Sequence, residues 1–532
     1  MIKIYKEQSI PYKILTWAVL AAALFFVCRI VYAGIIALPY PKEILEPSNI
    51  ALTNTFLSGK SPYTLSSLEW DVPGINYDYP FLNSLLAAAI AKITTCSAVT
   101  AHFCISLLSI LISGYVGILM VKDHVKTTVG PALSMLMFMF CHWRFGYISA
   151  APDDLGLLIC LLTLYMAICK KIKHKPLWCA IGITLCFYTK QYFIAIAAGL
   201  FIYMFLYSKK EAFKLLAYSI VINTAVAAIV AINWPLYFMR TLGFAFLGTY
   251  FSARSGLEVL LDQLNYLAFS FAALFAVIAT AAFFGIRKLK RSGKKLWSIA
   301  VLENDPFMIS VVNSIVMTLP LIYLGRNDGA YITYFLQLWM PSITVTAVVC
   351  FEKMISGKQQ DLRFQYFFHV LYALITVFTI YFGFGRLPLH ILTDEEIQTW
   401  EKAYDYTQQY AQEGDIFYAR SLAYDSFKKQ SGECLCGHDG EIEHDTVEVM
   451  EVRMVPMEWF PFVQELVDQN MKYRKMILEK AENQEYSLVT FEKTGDFRLI
   501  DDDICIKYGY RCLDVFELQV GNMPYEVAFY TR

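Results

Sequence analysis

Four short polar stretches hold the side chains best suited to chemistry. The first begins at Glu46, passes through Gly59-Lys-Ser-Pro-Tyr63, Glu69 and Asp71, and closes on Asn76-Tyr77-Asp78-Tyr79-Pro80. The second is Ala151-Pro-Asp153-Asp154, immediately before an apolar run. The third is Thr189-Lys190-Gln191, between two apolar runs. The fourth is Gly325-Arg326-Asn-Asp-Gly-Ala-Tyr331. A carboxylate at a membrane face can act as a general base or hold a cation, and a Lys or Arg beside it can grip phosphate. Together they suit a lipid phosphate whose head group sits at the surface. Plainer readings stand beside this one. Glu46 alone reads as solvated surface. Asp153 and Asp154 are favoured helix caps, and Lys190 reads as an anchor that snorkels to the interface. Tyr63, Tyr77 and Tyr79 fit an interfacial aromatic belt, and His142 reads as packing.

The elements that must position these groups are membrane helices. The chain has 532 residues, 57% hydrophobic and only 17% charged, with a mean hydropathy of +0.44. Soluble domains carry about 25% charge. The net charge of −1 hides an asymmetry. From Asp394 onward there are 29 acidic and 14 basic residues, which leaves the preceding part at +14. A basic membrane block therefore precedes an acidic soluble tail. Neither has the aromatic-interleaved basic stripe of a nucleic-acid binder.

A spanning helix needs roughly 20 mostly apolar residues. The first candidate, about Ile14 to Leu38, exceeds a signal-peptide core and reads as an uncleaved anchor. Phe81 to Ile93 is short and reads as an interfacial helix. Further apolar runs centre near residues 110, 138, 162, 184, 200, 226, 274, 315, 343 and 375, so the pattern predicts about eleven spans. Basic clusters follow every even span: Lys122 and Lys126; Lys170 to Lys175; Lys209 to Lys214; Arg287 to Lys295; Lys353, Lys358 and Arg363. Cytoplasmic loops carry such clusters. The amino terminus is thus expected inside, while the four polar stretches and the tail are expected on the outer face of a cell membrane. The expected organisation is a mainly α, multi-pass bundle over 1–390, with an outer loop at 39–80 and an interfacial helix at 81–95. A small extracytoplasmic α/β domain over 391–532 follows. In the tail, Gly414-Asp-Ile-Phe-Tyr and Tyr486-Ser-Leu-Val-Thr-Phe read as strands, and Trp459 to Lys480 as helix. Of the tail cysteines, Cys434 and Cys436 with His438 match zinc spacing poorly, and a Cys505–Cys512 disulfide is allowed outside the cell.

The layout resembles the GT-C superfamily of integral-membrane glycosyltransferases, which use polyprenyl-phosphate-linked sugars and include protein mannosyltransferases and aminoarabinose transferases. The likeness rests on Glu46 after the first span with the later Gly59, Pro62, Tyr63, Tyr77 and Pro80; on Pro152 to Leu155; on Tyr188-Thr-Lys-Gln191; and on Gly329 to Tyr334. It implies that Glu46 activates the acceptor hydroxyl or helps hold a metal, and that Asp153 or Asp154 supports the reaction centre. It implies that Lys190, with Arg326 or Arg254, binds the donor phosphate, with Tyr63, Tyr77, Asp78, Gln191 and Tyr331 around the substrate. The expected partners are a polyprenyl-phosphate sugar, an acceptor that is a glycan, lipid or protein, and the bilayer, with inversion at the sugar carbon. Cofactor use stays open between none and a divalent cation, Mg or Mn, on Glu46 and Asp154. Glu46 stands without a paired acidic neighbour, which is a weak divalent-ion site. The competing functions are a transporter or flippase of a lipid-linked sugar, against which stands the lack of an internal repeat, and an assembly protein whose tail binds a partner.

Overall fold

The computed structural model describes residues 8–37, 40, 46–61, 63–64, 79–142, 148, 150–238, 241–242, 257–258, 261, 275–279, 282–283, 303–324, 335–356, 366–374, 376–377, 390–411, 416–418, 433–434, 475, 478–493, 500–521 and 523–532. The chain is mostly helical, with a small sheet near its carboxyl end. Helix α1 spans Ile10–Ile36, α2 Glu46–Leu57, α3 Leu82–Thr94, α4 Ala98–Val121, α5 Val129–Phe140, α6 Asp153–Ile168 and α7 Lys175–Thr189. A 3-10 segment, Gln191–Ala195, leads into α8 Ile196–Tyr207, followed by α9 Lys209–Asn233 and α10 Pro306–Leu324. A π-helical turn, Phe335–Trp339, opens α11 Met340–Ser356.

The apolar runs near 110, 138, 162, 184, 200, 226, 315 and 343 each fall in a helix. Among the described residues α1, α4 and α9 are long and apolar enough to cross a membrane unaided, and the other expected spans are shorter helices or lie partly outside the described residues. The polar 39–80 stretch also holds a helix, α2, that its composition does not announce. Residues around 274 lie mostly outside the described set. So do the basic cluster Arg287 to Lys295 and the site candidates Tyr77, Asp78, Arg254, Arg326 and Tyr331.

The helices run back and forth, so side chains distant in sequence meet at two ends. The apolar core is shared by α1 and α4 to α11. Glycines set two of the close approaches. A Cβ on Gly182 would stand 2.1 Å from Thr163 Oγ1, which lets α7 lie against α6. A Cβ on Gly156 would stand 2.3 Å from the Phe193 ring. Gly156 is one turn after Asp153, on the same helix face, so this approach seats the start of α6 on the 190–195 segment.

In the tail, α12 Asp394–Tyr410 begins with a capping box between Thr393 and Glu396. A five-stranded sheet has the order β2-β1-β3-β5-β4, with β1 Ile416–Tyr418, β2 Glu433–Cys434, β3 Leu488–Glu492, β4 Arg511–Val520 and β5 Met523–Thr531. A short helix, α13 Asp502–Lys507, precedes β4. Strands β1 and β3 are the two expected from sequence. The antiparallel pairing of β4 with β5 turns at Gly521, whose φ of +59° favours glycine. Of the expected helix Trp459 to Lys480, most lies outside the described residues. Cys505 and Cys512 are free thiols, one buried and one exposed, in place of the disulfide the spacing allowed. Burial pushes the Cys505 thiol up to about 12, with nearby Asp502 and Asp501 adding to it.

Candidate functional site

The carboxylate of Glu46 opens α2 and is buried, 1% exposed. Its Oε1 accepts the backbone N–H of Ala150 at 3.0 Å. This bond ties the first polar stretch to the second, 104 residues later. A chain of buried polar groups supports it. Asn83 donates from Nδ2 to the Ala150 carbonyl at 3.2 Å and to His102 Nδ1 at 3.3 Å. His102 Nε2 then faces the Thr53 hydroxyl at 2.7 Å, and Thr53 donates to the Asn49 carbonyl at 2.8 Å. One proton order satisfies the whole chain: Nε2–H donates and Nδ1 accepts. Buried polar groups are tolerated when hydrogen-bonded in this way, so Glu46 is held rather than solvated.

Asp153 and Asp154 lie in the first turn of α6, where the helix dipole favours negative charge. Neither caps the helix: the cap position is Pro152, and no side-chain cap bond forms. Their side chains diverge instead. Asp153 Oδ2 accepts from Lys190 Nζ at 2.7 Å, and the two side chains are 3% and 5% exposed. Its Oδ1 faces the Tyr192 hydroxyl at 3.0 Å, and that hydroxyl also contacts Gln337 Oε1. Asp154 Oδ1 meets His142 Nδ1 at 2.9 Å.

Lys190 does not snorkel. Its extended backbone, φ −156° and ψ 126°, separates α7 from the 3-10 segment. Its ammonium lies 4.7 Å from the Tyr79 ring centroid and 5.1 Å from that of Tyr192. The break turns the side chain inward, where Asp153 offsets the cost of burying an ammonium. Gln191 donates from Nε2 to the Thr241 carbonyl at 2.8 Å. Tyr63 is fully buried rather than interfacial, its ring 5.1 Å from Tyr237 and 5.7 Å from Trp234. Beside this aromatic cluster, an open cleft of about 340 Å³ is lined by Lys60 and Lys92 together with Phe56, Leu57, Leu85 and Trp234.

Three residues connect Ala150 to Asp153, a span of at most about 11 Å. Glu46, Asp153, Asp154 and Lys190 therefore share one end of the bundle. Residues that sequence reasoning passed over complete the group: His142, His102, Tyr192 and Gln337. An ionisable residue inside an apolar helix is itself a functional signal, and it was available for His102. Nothing local marks Gln337. Asp154 with His142 supplies two donors that suit a divalent ion. Among the described residues no cluster of three His, Cys, Asp or Glu side chains forms.

The tail packs onto this same end. Ile50 of α2, Ala98 and Val99 of α4, and Ala150 share one apolar cluster with Trp400 of α12 and Leu488, Phe516, Leu518 and Phe529 of the sheet. Trp400 is fully buried, its Nε1 donates to the Gln519 carbonyl at 3.1 Å, and Tyr40 lies 5.5 Å from its ring.

Comparison with solved structures gives the class of fold. The chain aligns with ArnT from Cupriavidus metallidurans bound to undecaprenyl phosphate, with TM-score 0.56 and 12% identity over 95% of this chain and 97% of that one. The apo state of the same protein aligns with TM-score 0.57 and 11% identity over 96% and 98%. The likeness is one of fold and runs over nearly the whole length of both chains. No protein-family model and no curated protein matches the sequence.

Proposed function

We propose that the chain is a membrane glycosyltransferase that moves a sugar from a polyprenyl-phosphate donor to an acceptor hydroxyl on the outer face of the cell membrane. The observation that carries the reading is the buried carboxylate of Glu46, tied through Ala150 to the segment that presents Asp153 to Lys190, at the tail-covered end of an ArnT-like bundle. The basic clusters support this sidedness, with the amino terminus proposed in the cytoplasm and the tail outside.

In this mechanism the acceptor oxygen attacks the anomeric carbon while Glu46 takes its proton. The new O–C bond forms as the bond from that carbon to the phosphate oxygen breaks, and polyprenyl phosphate leaves with the electron pair. The configuration inverts. Lys190 is the cation that offsets the departing phosphate's charge, and Asp153 and Tyr192 fix its position. Arg254 and Arg326, outside the described residues, are candidates to join it. Tyr77, Asp78 and Tyr331 are proposed around the sugar on the same footing. The cleft lined by Lys60, Lys92 and apolar side chains has the amphiphilic character of a site for a lipid carrying an anionic head.

The test is incubation of the purified protein with a panel of polyprenyl-phosphate sugars, reading release of polyprenyl phosphate. Release from one donor, abolished by Glu46→Gln, supports the assignment. A Glu46→Gln protein with full transfer removes Glu46 as the base. No release from any donor favours a carrier of lipid-linked sugars.

A further inference from the structure

Gln337 sits in the middle of the π-helical turn Phe335–Trp339 and is 1% exposed. Such turns are rare and are found at functional sites. One end of its amide is committed to the Tyr192 hydroxyl, which also touches Asp153 Oδ1. The other end, Nε2, is buried with no hydrogen-bond partner. A buried amide end without a partner is costly, which makes it a place for an acceptor from a ligand or a water. A second unfilled group lies on the far side of the same carboxylate pair: His142 Nε2, also buried and unpartnered, on the residue that holds Asp154.

We propose that Gln337 binds a hydroxyl of the donor sugar. The inference rests on the glycosyl-transfer reading and adds the sugar contact to it. A phosphate is gripped by cations, and Lys190 is the cation of this cluster. A neutral amide both donates and accepts, which matches a sugar hydroxyl. Gln337 reaches Lys190 through two intervening side chains, Tyr192 and Asp153. A phosphate at Lys190 would therefore present its attached sugar toward the amide. The specificity this creates is strong in kind, because a site built to hydrogen-bond a hydroxyl rejects the analogue that lacks it.

The experiment measures binding of the purified full-length chain to two kinds of probe: bare undecaprenyl phosphate, and undecaprenyl phosphate bearing a hexose, an N-acetylhexosamine or a pentose. The wild-type protein is expected to bind one sugar-bearing lipid at least about tenfold tighter than the bare lipid, the size of one net hydrogen bond. Gln337→Met should lower affinity for the sugar-bearing lipid more than for the bare lipid, and so erase that difference. Gln337→Glu keeps the length of the side chain and an oxygen for Tyr192, removes the amide protons, and should show the same loss. It decides the matter if Gln337→Met fails to fold. Sugar preference that survives both variants overturns the proposal, since a water would then suffice for the amide. An equal fall in bare-lipid affinity also overturns it, because the contact would be to phosphate or merely structural. Wild-type protein that binds both probes equally rejects this inference alone, whereas binding to neither rejects the parent reading as well.

Discussion

Two buried ionisable networks stand at opposite ends of the helices, and they differ in completeness. At the end where α1 begins, Glu352 accepts the backbone N–H of Lys126 at 3.4 Å and the Thr127 hydroxyl at 2.5 Å, and it faces His369 Nε2 at 3.2 Å. His369 Nδ1 faces the Tyr12 hydroxyl at 3.4 Å. One proton arrangement on His369, Nε2–H donating and Nδ1 accepting, satisfies each of these contacts. At the other end, Glu46 and Asp153 are held as firmly, yet His142 Nε2 and Gln337 Nε2 are left over. The closed network ties α1, the 126–128 loop and α11 together. The open one retains bonding capacity for a ligand. Buried polar groups are costly in both places, and at the first end one is also left over, Gln8 Nε2, on the residue that accepts from Thr128; the contrast lies in the matched Glu352–His369 pair against the unmatched amide and imidazole ends beside Asp153 and Asp154.

Breaking the open network should remove activity, with stability unchanged at Glu46 and lowered at Lys190. Glu46→Gln keeps an oxygen for the Ala150 N–H but loses the base, and transfer should fall about 10²- to 10⁴-fold with an unchanged unfolding midpoint in detergent. A midpoint that collapses with activity would reassign Glu46 to structure. Lys190→Met strands the Asp153 charge and should cost about 3–5 kcal/mol, read as a lowered midpoint. Adding Asp153→Asn should restore most of that stability and none of the activity. If the double variant transfers sugar, the pair is scaffolding alone.

The closed network should answer in the opposite sense. Glu352→Gln should cost about 1–3 kcal/mol while kcat/KM of the folded fraction stays at the wild-type value. A selective loss of kcat/KM would join the two ends functionally and erase the contrast. The smallest effect belongs to the tail. Desolvation raises the Glu396 carboxyl, but the Thr393 N–H and His390 outweigh it and hold it below the usual 4.5. A carboxyl lowered by folding adds stability that is present above its unfolded value and lost as pH falls through its folded one. Glu396→Gln should therefore flatten the acid limb of a tail-unfolding curve slightly and leave neutral pH almost untouched. An unchanged acid limb would show that the His390 pair, N–O 2.9 Å, contributes nothing there.

Much of the architecture was legible because hydropathy and charge act locally. Apolar runs announced most of the helices. The two tail strands were readable from β-rich runs after turn residues. The Asp153–Asp154 pair and Lys190 stood out because charge beside apolar sequence is costly. Helix α2 was hidden because its polar composition, Glu46-Pro-Ser-Asn, has no amphipathic period, and its burial comes from neighbours such as Asn83 and His102. The β4–β5 hairpin was hidden because its alternation is imperfect across the irregularity at Cys512 to Asp514.

Composition and the sign of nearby charge announced the apolar helical block, the groups that could do chemistry and their common end of the bundle. Side-chain partners came only with the fold. It gave Asp153 to Lys190 and Asp154 to His142, joined Glu46 to Ala150, and brought Gln337 to Tyr192. Those choices depend on helix approach distances, set by Gly156 and Gly182 against Phe193 and Thr163, and contacts across 12 to 145 residues of chain leave no local mark.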